Sequence, residues 1–174
     1  MKEKKGIITM KGSPLTLLGD EIKVGDKAPG FTVLDNSLSE VSVSSFKDKI
    51  KVIVAVPSLD TPVCDIEAKR FNKEAGQLGS DTVVLTISMD LPFAQKRWCA
   101  AGGADSIKVL SDYRDASFAN AYGVLIKELR LLARAVFIID REGIVRYASI
   151  VKEVTSEPDY SEVLEEVKKL HAKV

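Results

Sequence analysis

A chain of 174 residues, 45% apolar and 29% charged, is long enough to bury a real core and has the balance of a globular protein. Its 25 basic residues equal its 25 acidic ones, so no bulk charge favours nucleic acid or an anionic membrane, and neither is expected as a partner. Two cysteines are too few for a disulfide scaffold or a cysteine-built zinc site. The one histidine, His171, sits in a helix-end pattern, "KKLHAKV", so neither a metal nor a cofactor is called for.

The first 20 residues contain "GIITMKGSPLTLLG", which predicts a β-hairpin around "KGSP". The basic start has an apolar part cut short by Lys11 and Gly12, unlike a signal peptide. No stretch approaches the roughly 18–20 apolar residues that span a bilayer, and a cytoplasmic location is expected. "KAPGFTVLD" reads as a turn and a short strand. "KVIVAV" (51–56) is continuously apolar, as in the centre of a parallel sheet. A helix over 62–78 follows, with Ile66, Phe71, Ala75 and Leu78 as its apolar face, then a strand, "TVVLTISM" (82–89). This β-α-β unit requires parallel strands and a right-handed crossover.

"DLPFAQKRWCAAGG" (90–103) predicts a short helix capped by Asp90, with Pro92 in its first turn and Gly102-Gly103 at its end. "KVLSD" (108–112) is a short strand and "DASFANAYGV" (115–124) a helix. "AVFIID" (135–140) and "IVRYASIV" (144–151) flank the tight turn "REG" as a hairpin. Residues 159–174 form a closing helix with Val163, Leu164, Val167 and Leu170 on one face. There is no repeat, linker or low-complexity tract, so the reading is one domain, 1–174, with the hairpin of 1–20 as an N-terminal extension. The element order is that of an α/β thioredoxin-like fold.

That order places a site. Ligand chemistry in such sheets lies outside the carboxyl ends of the parallel strands. "PSLDTPVC" (57–64) leaves the central strand there and carries Cys64. Arg134 begins the antiparallel neighbour, so topology brings it to the same end. Thr61 or Asp60 can cap the helix, and Pro62 suits its first turn. Cys64 then meets unpaired first-turn amides, which favour the thiolate. Asp65 and Glu67 oppose a second negative charge, so a permanent cation such as Arg134 is needed. Each residue alone has a plainer reading, as a small core side chain, a cap or a surface charge. Their convergence favours a reactive thiol.

"PSLDTPVC" also fits the peroxiredoxin pattern Pro-x-x-x-Thr-x-x-Cys. With "SMDLPFAQKRWC" and "LLARAVFIIDREG", nearly the whole chain resembles the thiol peroxidase branch, the atypical two-cysteine peroxiredoxins. The resemblance implies a peroxidatic Cys64, a resolving Cys99 that forms an intrachain disulfide with it, and a Thr61 that orients the reactants. It also implies an Arg134 that stabilises developing charge and a Pro57 that shields the pocket. It implies a hydroperoxide substrate, thioredoxin as reductant and a homodimer. Val63 and Phe93 are the apolar residues expected near the site. A Cys-x-x-Cys oxidoreductase lacks support, because that motif is missing and no proline lies between 93 and 157.

Overall fold

The computed structural model describes residues 1–173; Val174, the last residue of the expected closing helix, lies outside them. Glu3–Met10 (β1) and Ser13–Leu18 (β2) pair as an antiparallel hairpin. Lys11 and Gly12 both take positive φ at its turn, where glycine is the easier residue. Thr32–Leu34 (β3) and Glu40–Ser42 (β4) form a second short hairpin, and a single 3-10 turn, Val43–Phe46, follows. Then come Ile50–Ala55 (β5), the helix Pro62–Ala75 (α1), Thr82–Ser88 (β6) and the helix Pro92–Trp98 (α2). A π-helical turn, Cys99–Gly103, continues α2. Lys108–Ser111 (β7), Ser117–Ala121 (α3), Leu125–Ile126 (β8) and Leu131–Leu132 (β9) lead to Ala135–Ile139 (β10), Val145–Ile150 (β11) and Tyr160–His171 (α4).

The main sheet has seven strands in the order β11-β10-β5-β6-β7-β3-β4. β5, β6 and β7 run parallel, and β10 lies antiparallel to β5 with Ala135 opposite Ala55. This is the thioredoxin-like arrangement. β1 and β2 join β8 and β9 in a separate four-stranded sheet.

The central strand is buried throughout because both its faces are covered, and apart from Lys51 it is apolar. Its side chains alternate between two cores, as the period of a strand demands. Ile53 and Ala55 face a cluster with Phe31, Phe118, Tyr122 and Phe137. Val52 and Val54 face the other, with Cys64, Ala68 and Phe71 of α1 and Val163, Val167 and Leu170 of α4. Asp159 caps α4 by accepting from the Glu162 amide at 3.0 Å.

Three expectations change. The buried face of α1 is Cys64, Glu67, Ala68 and Phe71, and Ile66 is exposed. Spacing of three and four from Cys64 picks that face, whereas counting from Ile66 does not. Asp90 does not cap α2, whose N-cap is Leu91. It accepts instead from Ser58 Oγ, Ser88 Oγ and the Leu59 amide, at 2.6, 2.7 and 2.8 Å. The helix expected over 115–124 is only Ser117–Ala121, and the two-residue strands β8 and β9 take up the chain just after it. Strands that short carry no readable period.

Phe118 stacks on Tyr122 with ring centroids 4.7 Å apart and meets Phe31 edge-on at 5.1 Å. Phe118→Ala should therefore lower unfolding free energy by about 3–5 kcal/mol. Urea unfolding checks this, and a loss under 1 kcal/mol would mean the cluster is not the keystone of that face.

Candidate active site

Pro57 follows the last hydrogen bond of the central ladder, from the Val56 amide to the Ile87 carbonyl at 3.0 Å. Lacking an amide proton, it cannot prolong the strand, and the chain turns out of the sheet. The next residues are fixed from both sides. Asp90, at the end of β6, holds Ser58 and Leu59, while the Thr61 amide donates to the Ser58 carbonyl at 3.1 Å. Thr61 is the N-cap of α1 by its extended backbone, with Pro62 in the first turn. Its side chain does not cap, because the hydroxyl donates to the Ser58 carbonyl at 2.8 Å. Cys64 falls in that first turn and is fully buried.

Arg134 stands one residue before β10, whose register against β5 brings it beside the start of α1. It is 2% exposed, and every edge of its guanidinium is used. Nη2 lies 3.3 Å from Cys64 Sγ, Nε donates to the Val154 carbonyl at 2.9 Å, and Nη1 pairs with Glu67 Oε2. A planar fork fixed at three points cannot swing away from the sulfur.

Glu67, expected from sequence as a charge opposing Cys64, has a further role: it is fully buried and holds Arg134. Its position three after Cys64, on the same helix face, was the available signal. Burial pushes its carboxyl up from 4.5 to about 7, against the downward pull of Arg134. Its Oε1 has no partner. Burial also disfavours charge on Arg134, but Glu67 and Cys64 outweigh this and raise its pKa, so it stays a cation.

The mouth of the site is a cavity of about 120 Å³ lined by Met10, Pro57, Thr61, Pro62, Val63, Arg134, Val154 and Thr155. Val63 is where it was expected. Phe93 is not in the lining and is 65% exposed at the start of α2. Met10, Val154 and Thr155 were not foreseen, since only the tertiary structure brings them here. Hydrogen bonds from the Thr9 amide to the Lys152 carbonyl, 2.7 Å, and from the Val154 amide to the Thr9 carbonyl, 2.9 Å, dock the hairpin on the loop after β11.

Cys99 lies elsewhere on the same core. It is half-buried at the start of the π-helical turn, and Asn36 Nδ2 approaches its sulfur at 3.7 Å. It lines a larger cavity, about 400 Å³, with Asn36, Phe46, Lys108 and others. Both cysteines are free thiols. His171 is remote from both, since it bonds Thr82 at the opposite end of β6. Among the described residues no cluster of three or more potential metal ligands occurs, and no helix is long and apolar enough to cross a membrane.

The redoxin family profile matches residues 23–164. The thiol peroxidase of Bacillus subtilis (strain 168) is 56% identical over 163 residues, 94% of this chain and 97% of that protein. The chain belongs to the thiol peroxidase group of the redoxin family. A crystal structure of a peroxiredoxin-like protein from Aquifex aeolicus superposes with a TM-score of 0.89 at 46% identity, covering 98% of this chain and 99% of that one. A thiol peroxidase from Chromobacterium violaceum has the same fold, with a TM-score of 0.85 at 21% identity over 96% of this chain and 98% of that one.

For this family member the Glu67–Arg134 pair makes a pH prediction. A carboxyl raised by folding adds stability that is complete below its unfolded pKa and is lost as pH rises through the folded one. Wild-type protein should therefore lose on the order of 1–3 kcal/mol between about pH 4.5 and 7. Glu67→Gln keeps the hydrogen bond to Arg134 and should flatten that slope. Urea titrations across pH test it, and parallel curves for the two proteins would sink the idea.

Proposed function

We propose that this chain, a peroxidase by family, reduces hydroperoxides through a sulfenic acid on Cys64 and an intrachain Cys64–Cys99 disulfide. The observation that carries the reading is the buried Arg134 guanidinium 3.3 Å from Cys64 Sγ, beside a small apolar cavity.

The Cys64 thiolate attacks the terminal oxygen of ROOH. The S–O bond forms as the O–O bond breaks, and the departing alkoxide takes a proton and leaves as alcohol, or as water when R is hydrogen. Arg134 already faces the atoms on which negative charge develops, so little reorganisation is required. Thr61 gives its own proton to the Ser58 carbonyl, which leaves its oxygen lone pairs to accept from the peroxide O–H and orient it. Pro57, buried against the strand end, keeps water from the sulfur.

Cys99 then condenses with the sulfenic acid, and the new S–S bond forms with loss of water. A disulfide needs Cα atoms within about 7 Å, and the two free thiols sit on separate helical segments, so the chain after Gln95, up to residue 103, rearranges to deliver Cys99. The π-helical turn with Gly102 at φ +109° suits this, because such turns are weak and mark places where helices reorganise. A dithiol reductant, thioredoxin, returns both cysteines to thiols by exchange. The substrates are hydrogen peroxide and organic hydroperoxides. The apolar lining from Met10, Val63 and Val154 supports the organic ones. The working form is a homodimer in the cytoplasm. Leu91 and Phe93, exposed at 50% and 65%, supply an apolar surface that a second copy would cover.

The test counts free thiols before and after one equivalent of cumene hydroperoxide. Wild type should lose both thiols rapidly, Cys64→Ser should lose its remaining thiol slowly, and Cys99→Ser should trap a sulfenic acid. Arg134→Ala should slow the peroxide step about 10²–10³-fold. Equal, slow oxidation of wild type and both cysteine variants would make Cys64 an ordinary buried thiol and end the peroxidase assignment of this site.

A further inference from the structure

One hydrogen bond joins the immediate neighbours of the two cysteines. Trp98 Nε1, at the end of α2 and one residue before Cys99, donates to Asp65 Oδ1 at 2.8 Å. Asp65 follows Cys64 in the first turn of α1. Its second oxygen accepts from Lys69 at 2.9 Å, so both oxygens are engaged. Burial pushes the Asp65 carboxyl up, but the bonds from Lys69 and Trp98 outweigh this and hold it below the usual carboxylate range. The acceptor is therefore ionised at neutral pH and the bond is charge-assisted.

We propose that the Trp98–Asp65 hydrogen bond is a pin that holds the Cys99 segment in its resting place and limits the rate at which the Cys64–Cys99 disulfide forms. The inference rests on the roles given above to the two cysteines. Three features of the segment place control at this bond. Upstream, Gln95 is fully buried and donates to the Ser88 hydroxyl at 3.0 Å and the Leu110 carbonyl at 2.8 Å, so α2 is anchored there. Downstream, the Cys99–Gly103 turn is π-helical, Ala100 to Gly102 are exposed, and Gly102 leaves the helical region. Nothing in that turn resists unwinding strongly. Between the anchored end and the weak turn, the strongest polar tie is the Trp98–Asp65 bond. Among the described residues the Cys99 side chain has one polar contact, the long one from Asn36. Delivering Cys99 to Cys64 turns the end of α2 out of register with α1, and the pin must break first.

Trp98 and Asp65 act here as positioning residues. The step they govern is the loss of water from Cys64–SOH and Cys99–SH to give the disulfide. Its competitor is a second hydroperoxide that converts Cys64–SOH to the sulfinic acid and leaves as alcohol. A pin that slows the first reaction lengthens the exposure of the sulfenic acid to the second, so it sets how much peroxide the protein tolerates.

Trp98→Phe keeps an aromatic ring against the same core and removes the donor. In rapid-quench mass spectrometry after a pulse of cumene hydroperoxide, it should form the Cys64 sulfenic acid at the wild-type rate. It should then convert it to disulfide about tenfold faster, as loss of a charge-assisted hydrogen bond implies, and accumulate less sulfinic acid at high peroxide. Asp65→Asn weakens the acceptor and keeps Trp98, the single tryptophan, as a fluorescent reporter of the same step. Its disulfide phase should also accelerate. A merely structural role would lower stability without splitting the two phases in this way. Unchanged or slower disulfide formation in either variant, with a normal sulfenic acid phase, overturns the pin. Absence of sulfenic acid on wild-type Cys64 overturns the peroxidase reading, and the pin with it.

Discussion

A single cation serves two acids in the interior of this protein. Arg134 touches the sulfur of Cys64 and the carboxylate of Glu67, and all three are out of water. One positive charge balances one negative charge, so a thiolate and a carboxylate together leave a buried excess that a low-dielectric interior disfavours. Burial raises the Glu67 carboxyl to about 7, against the pull of Arg134, so a proton there would relieve any such excess. Glu67 thus holds the guanidinium in place and can do so charged or neutral, which an amide could not.

Topology makes that arrangement possible. Cys64 and Arg134 are 70 residues apart, yet one lies past the carboxyl end of β5 and the other before the amino end of β10, and those strands are antiparallel neighbours. Register then does the fine work, because Ala135 opposite Ala55 leaves Arg134 level with the chain as it leaves the sheet. A one-residue slip would turn its side chain to the other face. The β5 strand, buried on both faces and apolar from Val52 to Ala55, is what forbids that slip.

What the sequence made legible followed from strong, local signals. The β5-α1-β6 unit, the β10–β11 hairpin and the apolar face of α4 each carry a period or a turn that one window of residues contains. The meeting of Cys64 and Arg134 is legible because element order alone implies the strand order. The hold of Glu67 on Arg134 is not, because a carboxylate beside a cysteine signals only repulsion until the helix face is known to be buried. Asp90 was misread as a cap because aspartate before Leu-Pro has that local sense, while its actual partners, Ser58 and Leu59, lie 32 and 31 residues away. The pocket residues Met10 and Val154 had no signal at all, since their meeting depends on where the N-terminal hairpin docks.

The long-range bonds also divide stiffness unevenly, and the division suits the chemistry. The loop before Cys64 is tied by Asp90 to β6, by Thr61 to its own turn and by Arg134 to β10, so the Cys64 sulfur is held at a fixed angle. The same carboxylate of Asp90 accepts from Ser88, and Ser88 in turn accepts from Gln95 of α2. One polar network therefore reaches from the loop before Cys64 into α2 as far as Gln95. Beyond that residue the Trp98–Asp65 hydrogen bond is the last strong side-chain tie before the exposed π-helical turn that begins at Cys99. The ties are densest around Cys64, where a fixed orientation would lower the barrier of a reacting group, and they thin out toward Cys99, which keeps one long contact from Asn36 at 3.7 Å.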